Sequence, residues 1–315
     1  MLRTLKVRRE RRTTMIYKAR VKSKSITILE SLANRMQFSQ SDYWKYQNQR
    51  KGFEGERLLD EMLEKLECDC LILNDLELPY NSSSFQIDSL VITAFKIYLL
   101  EVKNYEGEFF MEGKDLYQKP NRLRSNPELF LERKHDYLSQ MLQAKGYSYP
   151  IESKVIYIHN EFTLLQAPLV SNILLLSQLP AYFKNLNTIS SKIKNTHKNL
   201  ANTLLEMHLE DNGKRNIPVF TYEDLQKGIF CPECSSPSVH IKQRYCSCAN
   251  CGYQAVKSLE IMRCIEEFKL LFPETKVTTV SIYHWCAEMF TKKSIQNVLI
   301  QNYKTIGGTK GAYYE

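Results

Sequence analysis

The stretch FQIDSLVITAFKIYLLEVKN, residues 85–104, contains two runs rich in β-branched and aromatic residues on either side of a short central turn. This pattern predicts two antiparallel strands joined as a hairpin. In a hairpin centred on that turn, Asp88 lies opposite Glu101, and Gln86 lies opposite Lys103. The stretch therefore brings two acidic side chains face to face within otherwise apolar strands.

The two opposed acids of this hairpin need a compensating charge, because like charges directly opposite each other destabilise a sheet. Side chains alternate along a strand, so Glu101 and Lys103 share one face and Val102 points to the other. The pairing of Asp88 with Glu101 therefore predicts a cation between them. That cation is either a divalent metal ion or the Lys103 ammonium of a purely structural Asp–Lys–Glu network.

A helix before the hairpin contributes a third acid. In KGFEGERLLDEMLEKL, residues 51–66, the positions on one helical face are Gly52, Glu56, Leu59, Leu63 and Leu66. Glu56 is thus expected to face the core, where a carboxylate is costly unless it meets a cation, a metal or hydrogen-bond donors. Alternatively, Glu56 lies at the rim of the first turn, where the helix dipole favours an acid.

A site in which two carboxylates bind one hard divalent ion, with an ammonium group nearby, can hydrolyse phosphodiesters. Mg²⁺ takes oxygen ligands, keeps several waters and completes its shell with substrate phosphate. It lowers the pKa of bound water and neutralises charge in the transition state, and Lys103 can orient the attacking water. The six histidines are scattered along the chain and no nucleophile elbow is present, so serine or cysteine hydrolysis is less attractive.

Three motifs of the chain, GFEGE at 52–56, QID at 86–88 and EVKNYEG at 101–107, resemble those of a known family in both order and spacing. The family is that of the nuclease-related domain (NERD), a branch of the PD-(D/E)xK nuclease superfamily. The resemblance implies an α/β fold with a nuclease-like mixed sheet flanked by helices.

The same resemblance implies a role for each motif residue. Asp88 and Glu101 would bind Mg²⁺ or Mn²⁺, and Lys103 would be the catalytic lysine. Glu56 would be the helix-borne acid, and Gln86 would be an accessory polar residue.

One segment departs from the family pattern. Members often carry Asn-Pro-x-x-Gln after the core strands, whereas here Asn126-Pro127 is followed by a phenylalanine, Phe130, at the position of the glutamine. The departure leaves the role of this segment open and does not involve the carboxylates or the lysine.

Nine cysteines are distributed unevenly, and five of them lie between residues 231 and 251. The motifs CPEC and CANC enclose 13 residues and predict a zinc ribbon with the ligands Cys231, Cys234, Cys248 and Cys251. Four cysteine ligands leave no open position, so the zinc is expected to be structural. Cys246 is an alternative to Cys248, and Gly252 allows a tight turn after the second pair.

The tail is expected to contain a helix that ends near Pro273, two short helices over 280–289 and 291–301, and a hairpin over 303–315. This order resembles a helix–turn–helix with a wing, which reads DNA. The residues near the start of the recognition helix would be Lys292, Lys293, Ser294 and Gln296. The alternative is a small helical packing module.

Charge and hydropathy limit the class of protein. The net charge is +8, and residues 1–24 hold ten Lys or Arg against one acid, Glu10. Such a run suits either phosphate contacts or a solvated tail. No apolar run approaches the roughly 20 residues that span a bilayer, and the basic N-terminus lacks an apolar signal segment. We therefore expect a cytoplasmic protein without a membrane partner.

The organisation expected from these patterns has five parts. They are a basic helical lead-in (1–50), the nuclease-like domain (51–180), a helical linker (181–225), the zinc ribbon (226–256) and a winged helix-like domain (257–315). The leading hypothesis is a Mg²⁺- or Mn²⁺-dependent nuclease that hydrolyses DNA. The alternatives are a non-cleaving DNA-binding or regulatory protein with a nuclease scaffold, and an RNA nuclease of stress or phage defence.

Overall fold

The computed structural model describes residues 14–169, 171–189, 192–211, 217–308 and 311–315. Residues 1–13, with part of the predicted basic arm, lie outside this range. The strands are β1 (Thr14–Lys18), β2 (Cys70–Tyr80), β3 (Ser83–Ile92), β4 (Ile97–Lys103), β5 (Gly107–Glu112), β6 (Asp115–Gln118), β7 (Arg122–Arg124), β8 (Ile151–Tyr157), β9 (Phe162–Leu165), β10 (Ile173–Leu175), β11 (Val239–Ile241), β12 (Tyr245–Cys248), β13 (Gln254–Val256), β14 (Thr305–Ile306) and β15 (Tyr313–Tyr314). The helices are α1 (Lys24–Arg35), α2 (Gln40–Leu63), α3 (Pro127–Ala144), α4 (Leu179–Asn187), α5 (Asn195–Glu206), α6 (Lys257–Leu271), α7 (Thr279–Trp285) and α8 (Lys292–Asn302).

These elements divide into two compact units. The first comprises residues up to Lys22 and Asn48–Glu210, and the second comprises Ser23–Gln47 and Asp211–Glu315. The division differs from the predicted lead-in and linker, because β1, α4 and α5 belong to the first unit. The reason is that β1 pairs with β2, more than fifty residues along the chain, and periodicity does not report such distant pairings.

A mixed sheet with the strand order β1-β2-β3-β4-β8-β10 forms the centre of the first unit. The pairs β2–β3 and β3–β4 are antiparallel, whereas β1–β2, β4–β8 and β8–β10 are parallel. A smaller sheet in the same unit has the order β7-β6-β5-β9. The predicted mixed α/β architecture is therefore confirmed for this unit.

The register of the β3–β4 hairpin agrees with the prediction. The ladder runs from Ile92–Ile97 to Ser89–Leu100, the alignment that would place Asp88 opposite Glu101. Regular pairing stops one position before those acids. The two strands of the hairpin therefore part at the place where the acidic residues lie.

Helices cover both faces of the mixed sheet. Leu59 and Leu63 of α2 share one apolar cluster with Val102 of β4. Leu131 and Leu138 of α3 belong to the cluster on the other face. Each fully buried leucine contributes roughly 1.5–3 kcal/mol, so these helices are held mainly by the sheet. The acidic side chains Asp88 of β3 and Glu101 of β4 are therefore buried between the sheet and these helices.

Helix α2 carries two glycines in GFEGE that meet different surroundings. A Cβ at Gly55 would lie 2.7 Å from Cβ of Asn104 and 3.2 Å from Cγ2 of Ile158, whereas a Cβ at Gly52 would meet nothing within 4 Å. The Asn104 side chain is held in place, because its Nδ2 donates to the Lys51 carbonyl at 2.7 Å. Gly55 thus permits a close approach of α2 to the end of β4.

Gly55→Ala is expected to destabilise the protein by roughly 1–3 kcal/mol through overpacking. Gly52→Ala is the matched control and should stabilise it by roughly 0.5–1 kcal/mol, because alanine is the better helix former. Urea unfolding of both variants, followed by circular dichroism, measures the difference. A stabilising Gly55→Ala would contradict the close approach.

The second unit contains a three-stranded antiparallel sheet, β11-β12-β13, which together with the two CxxC turns is called the cysteine ribbon below. Helices α6, α7 and α8 and the antiparallel pair β14–β15 follow it. Phe268, Trp285 and Leu299 are buried in the apolar cluster of this unit. The helices and the terminal hairpin predicted for the tail are thus present. No helix among the described residues is both long and apolar enough to span a membrane.

Candidate functional site

The end of the β3–β4 ladder places two acids inside the first unit. Asp88 is 6% exposed and Glu101 is 4% exposed. The backbone N–H of Val102 donates to Oδ2 of Asp88 at 2.8 Å, which links the Asp88 side chain to β4 beside Glu101. Both carboxylates are therefore buried, and the Asp88 carboxylate is hydrogen-bonded to β4, the strand that carries Glu101.

Two lysines neutralise Glu101. Nζ of Lys103 lies 2.7 Å from Oε1 of Glu101, and Nζ of Lys134 lies 2.5 Å from Oε2. Lys103 lies two residues after Glu101 on β4 and therefore on the same face, as predicted. Lys134 comes from α3, which covers that face of the sheet. Each oxygen of the carboxylate thus accepts a hydrogen bond from a different ammonium group.

The two acids differ in proton affinity. Burial and the charge of Glu101 raise the pKa of Asp88, although Lys134 and Lys103 oppose the rise. Burial alone would raise the pKa of Glu101, but the Lys103 and Lys134 ammonium groups lower it below its ordinary value. Burial lowers the pKa of Lys103, yet the charges of Glu101 and Asp88 outweigh this effect and raise it. These two charges therefore favour the protonated form of Lys103.

Glu56 is half-buried and has a cation of its own. Arg20, whose side chain is 3% exposed, donates to Oε2 of Glu56 at 2.7 Å and to Oδ2 of Asp60 at 2.9 Å. The same guanidinium donates to the carbonyl of Asp88 at 2.6 Å and to Oγ of Ser89 at 3.3 Å. Arg20 therefore connects α2 to β3 next to the buried acids.

The environment of Glu56 favours its neutral form. Burial and the charge of Asp88 raise the pKa of Glu56 to about 8, and Arg20 limits the rise. Glu56 faces inward as the helical pattern predicted, with its side chain 20% exposed. The interior position is therefore favoured over the alternative of a solvent-facing acid at the rim.

Gln86 is placed differently from its expected position opposite Lys103. It pairs with Glu77 of β2, and its Nε2 donates to Oδ1 of Asp75 at 2.8 Å. The reason is that β3 separates from β4 beyond Ser89 but remains on β2. Gln86 therefore contacts Asp75, whose charge also contributes to the raised pKa of Glu56.

Three residues of this site were missed from the sequence: Arg20, Asp75 and Lys134. Lys134 had a detectable signal, because it lies between the buried Leu131 and Leu138 on the apolar face of α3. Arg20 had none, since it follows a short strand outside the motifs. Asp75 lies within β2 at a positive φ of 55°, which is uncommon for a residue other than glycine and cannot be read from sequence.

The segment with the missing glutamine has a structural role. The Asn126 side chain accepts a hydrogen bond from the N–H of Glu128 at 2.9 Å and caps α3, and Pro127 occupies the first turn. Phe130, at the position of the family's glutamine, is exposed. The helix that this cap starts also carries Lys134.

The carboxylates fit a metal ion only in part. Mg²⁺ sites often use one or two protein carboxylates together with waters and substrate phosphate, and the buried pair Asp88 and Glu101 meets that need. Their oxygens accept hydrogen bonds from Val102, Lys103 and Lys134. A cation at Glu101 would therefore have to replace an ammonium.

Four cysteines of the second unit come together as predicted. In the described part of the chain, the one group of three or more Cys, His, Asp or Glu ligand atoms within 4.8 Å of one another is formed by Cys231, Cys234, Cys248 and Cys251. The Sγ atoms of Cys231 and Cys251 are 3.5 Å apart, and those of Cys234 and Cys248 are 3.6 Å apart. Tetrahedral zinc with Zn–S bonds of about 2.3 Å requires about 3.8 Å. The geometry suits zinc.

The local backbone of the cysteine ribbon explains why Cys248 belongs to this group and Cys246 does not. Gly252 has a φ of 77°, and Ser235 has the corresponding position after the first pair with a φ of 59°. These turns bring each CxxC pair to one point, and the N–H of Asn250 lies 3.4 Å from Sγ of Cys248. Cys246 lies two residues earlier in β12, about 6–7 Å along the strand, and is buried in the apolar cluster.

The four predicted nucleic-acid contacts lie in the first turns of α8. Lys292, Lys293 and Gln296 are exposed, while Ser294 is half-buried. The backbone N–H of Ser294 donates to Oγ1 of the N-cap Thr291 at 3.2 Å. Three of the four side chains are therefore accessible to a ligand, and the fourth is next to the helix cap.

A comparison with protein families supports the interpretation of the first unit. Residues 51–158 match the family model of the nuclease-related domain, NERD. The match begins in α2 and ends just after β8, so it contains Glu56, Asp88, Glu101, Lys103 and Lys134. No curated protein and no solved structure matches the chain.

Proposed function

Because residues 51–158 match the family model of the nuclease-related domain, we propose that the protein is a metal-dependent nuclease that hydrolyses phosphodiester bonds of DNA. Asp88 and Glu101 would bind Mg²⁺ or Mn²⁺, and Lys103 would be the catalytic lysine. Glu56 would be the helix-borne acid, positioned by Arg20, and Gln86 an accessory polar residue.

The observation that carries this proposal is the burial of Asp88 and Glu101 together with Lys103. A carboxylate pair in an apolar sheet is costly and has no structural advantage over apolar residues of similar size. The two carboxylates and the lysine are instead suited to binding a divalent metal ion together with a negatively charged phosphate. A bound divalent ion would polarise the phosphate and generate a hydroxide nucleophile at neutral pH.

The residues of the chain would perform the remaining tasks. The Lys103 ammonium, which keeps its proton, lies beside Glu101 and can hold an attacking water or a phosphate oxygen. Asp88 is fixed by the N–H of Val102, so its free oxygen keeps one direction. Arg20 ties Glu56 to the β3 backbone and thereby keeps α2 in register with the acids.

One observation favours a second candidate function. Both oxygens of Glu101 accept hydrogen bonds from lysines, and Oε2 of Glu56 accepts one from Arg20, so both acids have hydrogen-bond partners without a metal. A non-cleaving DNA-binding or regulatory protein with a nuclease scaffold would need nothing more. An RNA nuclease of stress or phage defence would use the same chemistry as the leading proposal.

The second unit would bind nucleic acid. The cysteine ribbon would hold one structural zinc, and α7, α8 and the β14–β15 hairpin would form a winged helix-like domain. Lys292, Lys293, Ser294 and Gln296 would lie on its recognition helix, whose N-terminal residues reach base edges in such domains. We propose a cytoplasmic location for the whole protein.

The proposal is tested by incubating the full chain with linear DNA, circular DNA and RNA in Mg²⁺, in Mn²⁺ and in EDTA. We expect cleavage of DNA in either metal and none in EDTA. Lys103→Met should reduce the rate roughly a hundredfold to a thousandfold, because it removes a charge aimed at the transition state.

Lys96→Met is the matched control for Lys103→Met. Lys96 precedes the same strand and also pairs with a glutamate, Glu152, at 2.7 Å, but it is 40% exposed and lies at the other end of β4. The Lys96→Met variant should therefore cleave DNA at the wild-type rate. If wild-type protein with intact structure cleaves neither DNA nor RNA but binds DNA, the non-cleaving alternative holds.

A further inference from the structure

Helix α3 directs a second lysine at the carboxylate that Lys103 also contacts. The Lys134 side chain is 17% exposed and that of Glu101 is 6% exposed. Lys134 occupies the turn between Leu131 and Leu138, both fully buried. A lysine without an acidic partner favours the solvent-facing side of a helix. We therefore attribute the core-facing position of Lys134 to its contact with Glu101.

The two lysines that contact Glu101 differ in how they are held. Lys103 lies two residues from Glu101 on the same strand and the same face, so the strand itself keeps these two residues adjacent. Lys134 reaches Glu101 from a separate helix on a flexible four-carbon stem. In the described residues, Glu101 is the acid with which Lys134 forms an ion pair. Lys134 is therefore the cation that can leave.

A divalent ion at Glu101 would compete with Lys134. The ion would need an oxygen of Glu101, and Oε2 is the one that accepts from Lys134. An ammonium and a metal ion also repel each other at this distance. Once displaced, the Lys134 side chain, which is 17% exposed, would remain close to Glu101 and could contact a nonbridging phosphate oxygen of a bound substrate.

We propose that Lys134 is a second substrate-binding lysine: it holds Glu101 while the site lacks metal, and it transfers to a phosphate oxygen of the nucleic acid when a divalent ion takes its place. The transfer rests on the function proposed above. It makes metal binding and substrate binding interdependent, because the metal releases the cation that the substrate then uses.

Metal affinity is the first measurement. Lys134→Met removes the competing ammonium but keeps a chain of similar length, so the full protein should bind Mn²⁺ at least threefold more tightly, as measured by electron paramagnetic resonance of free Mn²⁺. Arg133→Met is the control. Arg133 is the preceding, exposed residue of α3, and its loss removes the same charge from the same helix without changing metal affinity.

The second measurement is the salt dependence of DNA affinity, made in Ca²⁺ under conditions in which a gel shows no cleavage, and again in EDTA. Each phosphate contact contributes about 0.9 to the slope of log K against log salt. Lys134→Met should reduce the magnitude of this slope by about that amount in Ca²⁺ and leave it unchanged in EDTA, where Lys134 is occupied by Glu101. A purely structural lysine would change neither slope.

Folding is monitored by melting temperature, and Lys134→Gln is the second variant, because its amide can still donate to Glu101 without a charge. If wild-type protein binds no Mn²⁺, both the proposed function and this inference fail. If wild type binds Mn²⁺ but folded Lys134→Met and Lys134→Gln bind it equally or more weakly, only the inference is overturned. Tighter Mn²⁺ binding together with a metal-dependent loss of slope supports it.

Discussion

Replacing Cys234 with serine is expected to release zinc and to unfold the cysteine ribbon. The four Sγ atoms of Cys231, Cys234, Cys248 and Cys251 lie within 4.8 Å of one another, so the loss of one ligand opens the coordination shell. Structural zinc contributes roughly 10–16 kcal/mol of apparent folding free energy in small zinc peptides. No other expected change to this protein is as large.

The ribbon depends on the metal because its own secondary structure is short, although several of its residues also pack into the apolar cluster of the second unit. Its strands contain three to four residues each, and a segment of this size cannot bury enough apolar surface to fold alone. Hydrogen bonds from the Asn250 side chain and the Ser236 backbone lower the pKa of Cys234 to about 6. This thiol therefore readily provides the thiolate that zinc binds.

Cys246→Ser is the matched control. Cys246 belongs to the same ribbon and is 1% exposed, but it is outside the four-sulfur group. Elemental analysis of purified protein should give one zinc per chain for wild type and for Cys246→Ser, and a strongly reduced content for Cys234→Ser. Of these three proteins, only Cys234→Ser should be cut within the ribbon by limited proteolysis. Folded wild-type protein without zinc would contradict the assignment.

Replacing Arg20 with leucine is expected to destabilise the protein by roughly 3–5 kcal/mol, the range for removing one partner of a buried ion pair. The Arg20 side chain is 3% exposed and serves Glu56, Asp60 and the carbonyl of Asp88. Leucine fills part of the space but leaves two half-buried carboxylates without a cation. The loss therefore exceeds that of the hydrogen bonds alone.

The size of the Arg20 effect should depend on pH. The pKa of Glu56 is raised to about 8, so the stability linked to its protonation is fully present below its unfolded value near 4.5 and is lost as pH rises through about 8. Above that pH Glu56 is charged and Arg20 is its partner. Arg20→Leu should therefore cost more at pH 9 than at pH 6, where mainly the contacts with Asp60 and the backbone are lost.

Urea unfolding at both pH values measures this prediction, with Arg57→Leu as control. Arg57 also pairs with an acid of α2, Glu61, but the two side chains are 63% and 54% exposed and the atoms are 3.4 Å apart. Surface pairs of this kind contribute about 0–1 kcal/mol. If Arg20→Leu and Arg57→Leu had equal effects, Arg20 would not be a buried anchor of the site.

The sequence alone predicted those features that depend on short-range order. The central turn of 85–104 was sufficient to predict the β3–β4 register, because residues at equal distances from the turn of a hairpin lie opposite each other. Helical spacing placed Glu56 on the inner face of α2. The two CxxC motifs identified the four sulfurs, because the spacing within each pair matches what one metal ion requires.

The tertiary structure decided the partners of these residues. Arg20, Asp75 and Lys134 lie outside the recognised motifs and reach the acids only because β1 pairs with β2 and α3 covers the sheet. Gln86 showed the limit of extending a register, since β3 leaves β4 beyond Ser89. The physical reason is that side-chain patterns specify which face of an element is buried. Which charged group meets another across that face depends on contacts between distant parts of the chain, and these form only when the sheet and helices assemble.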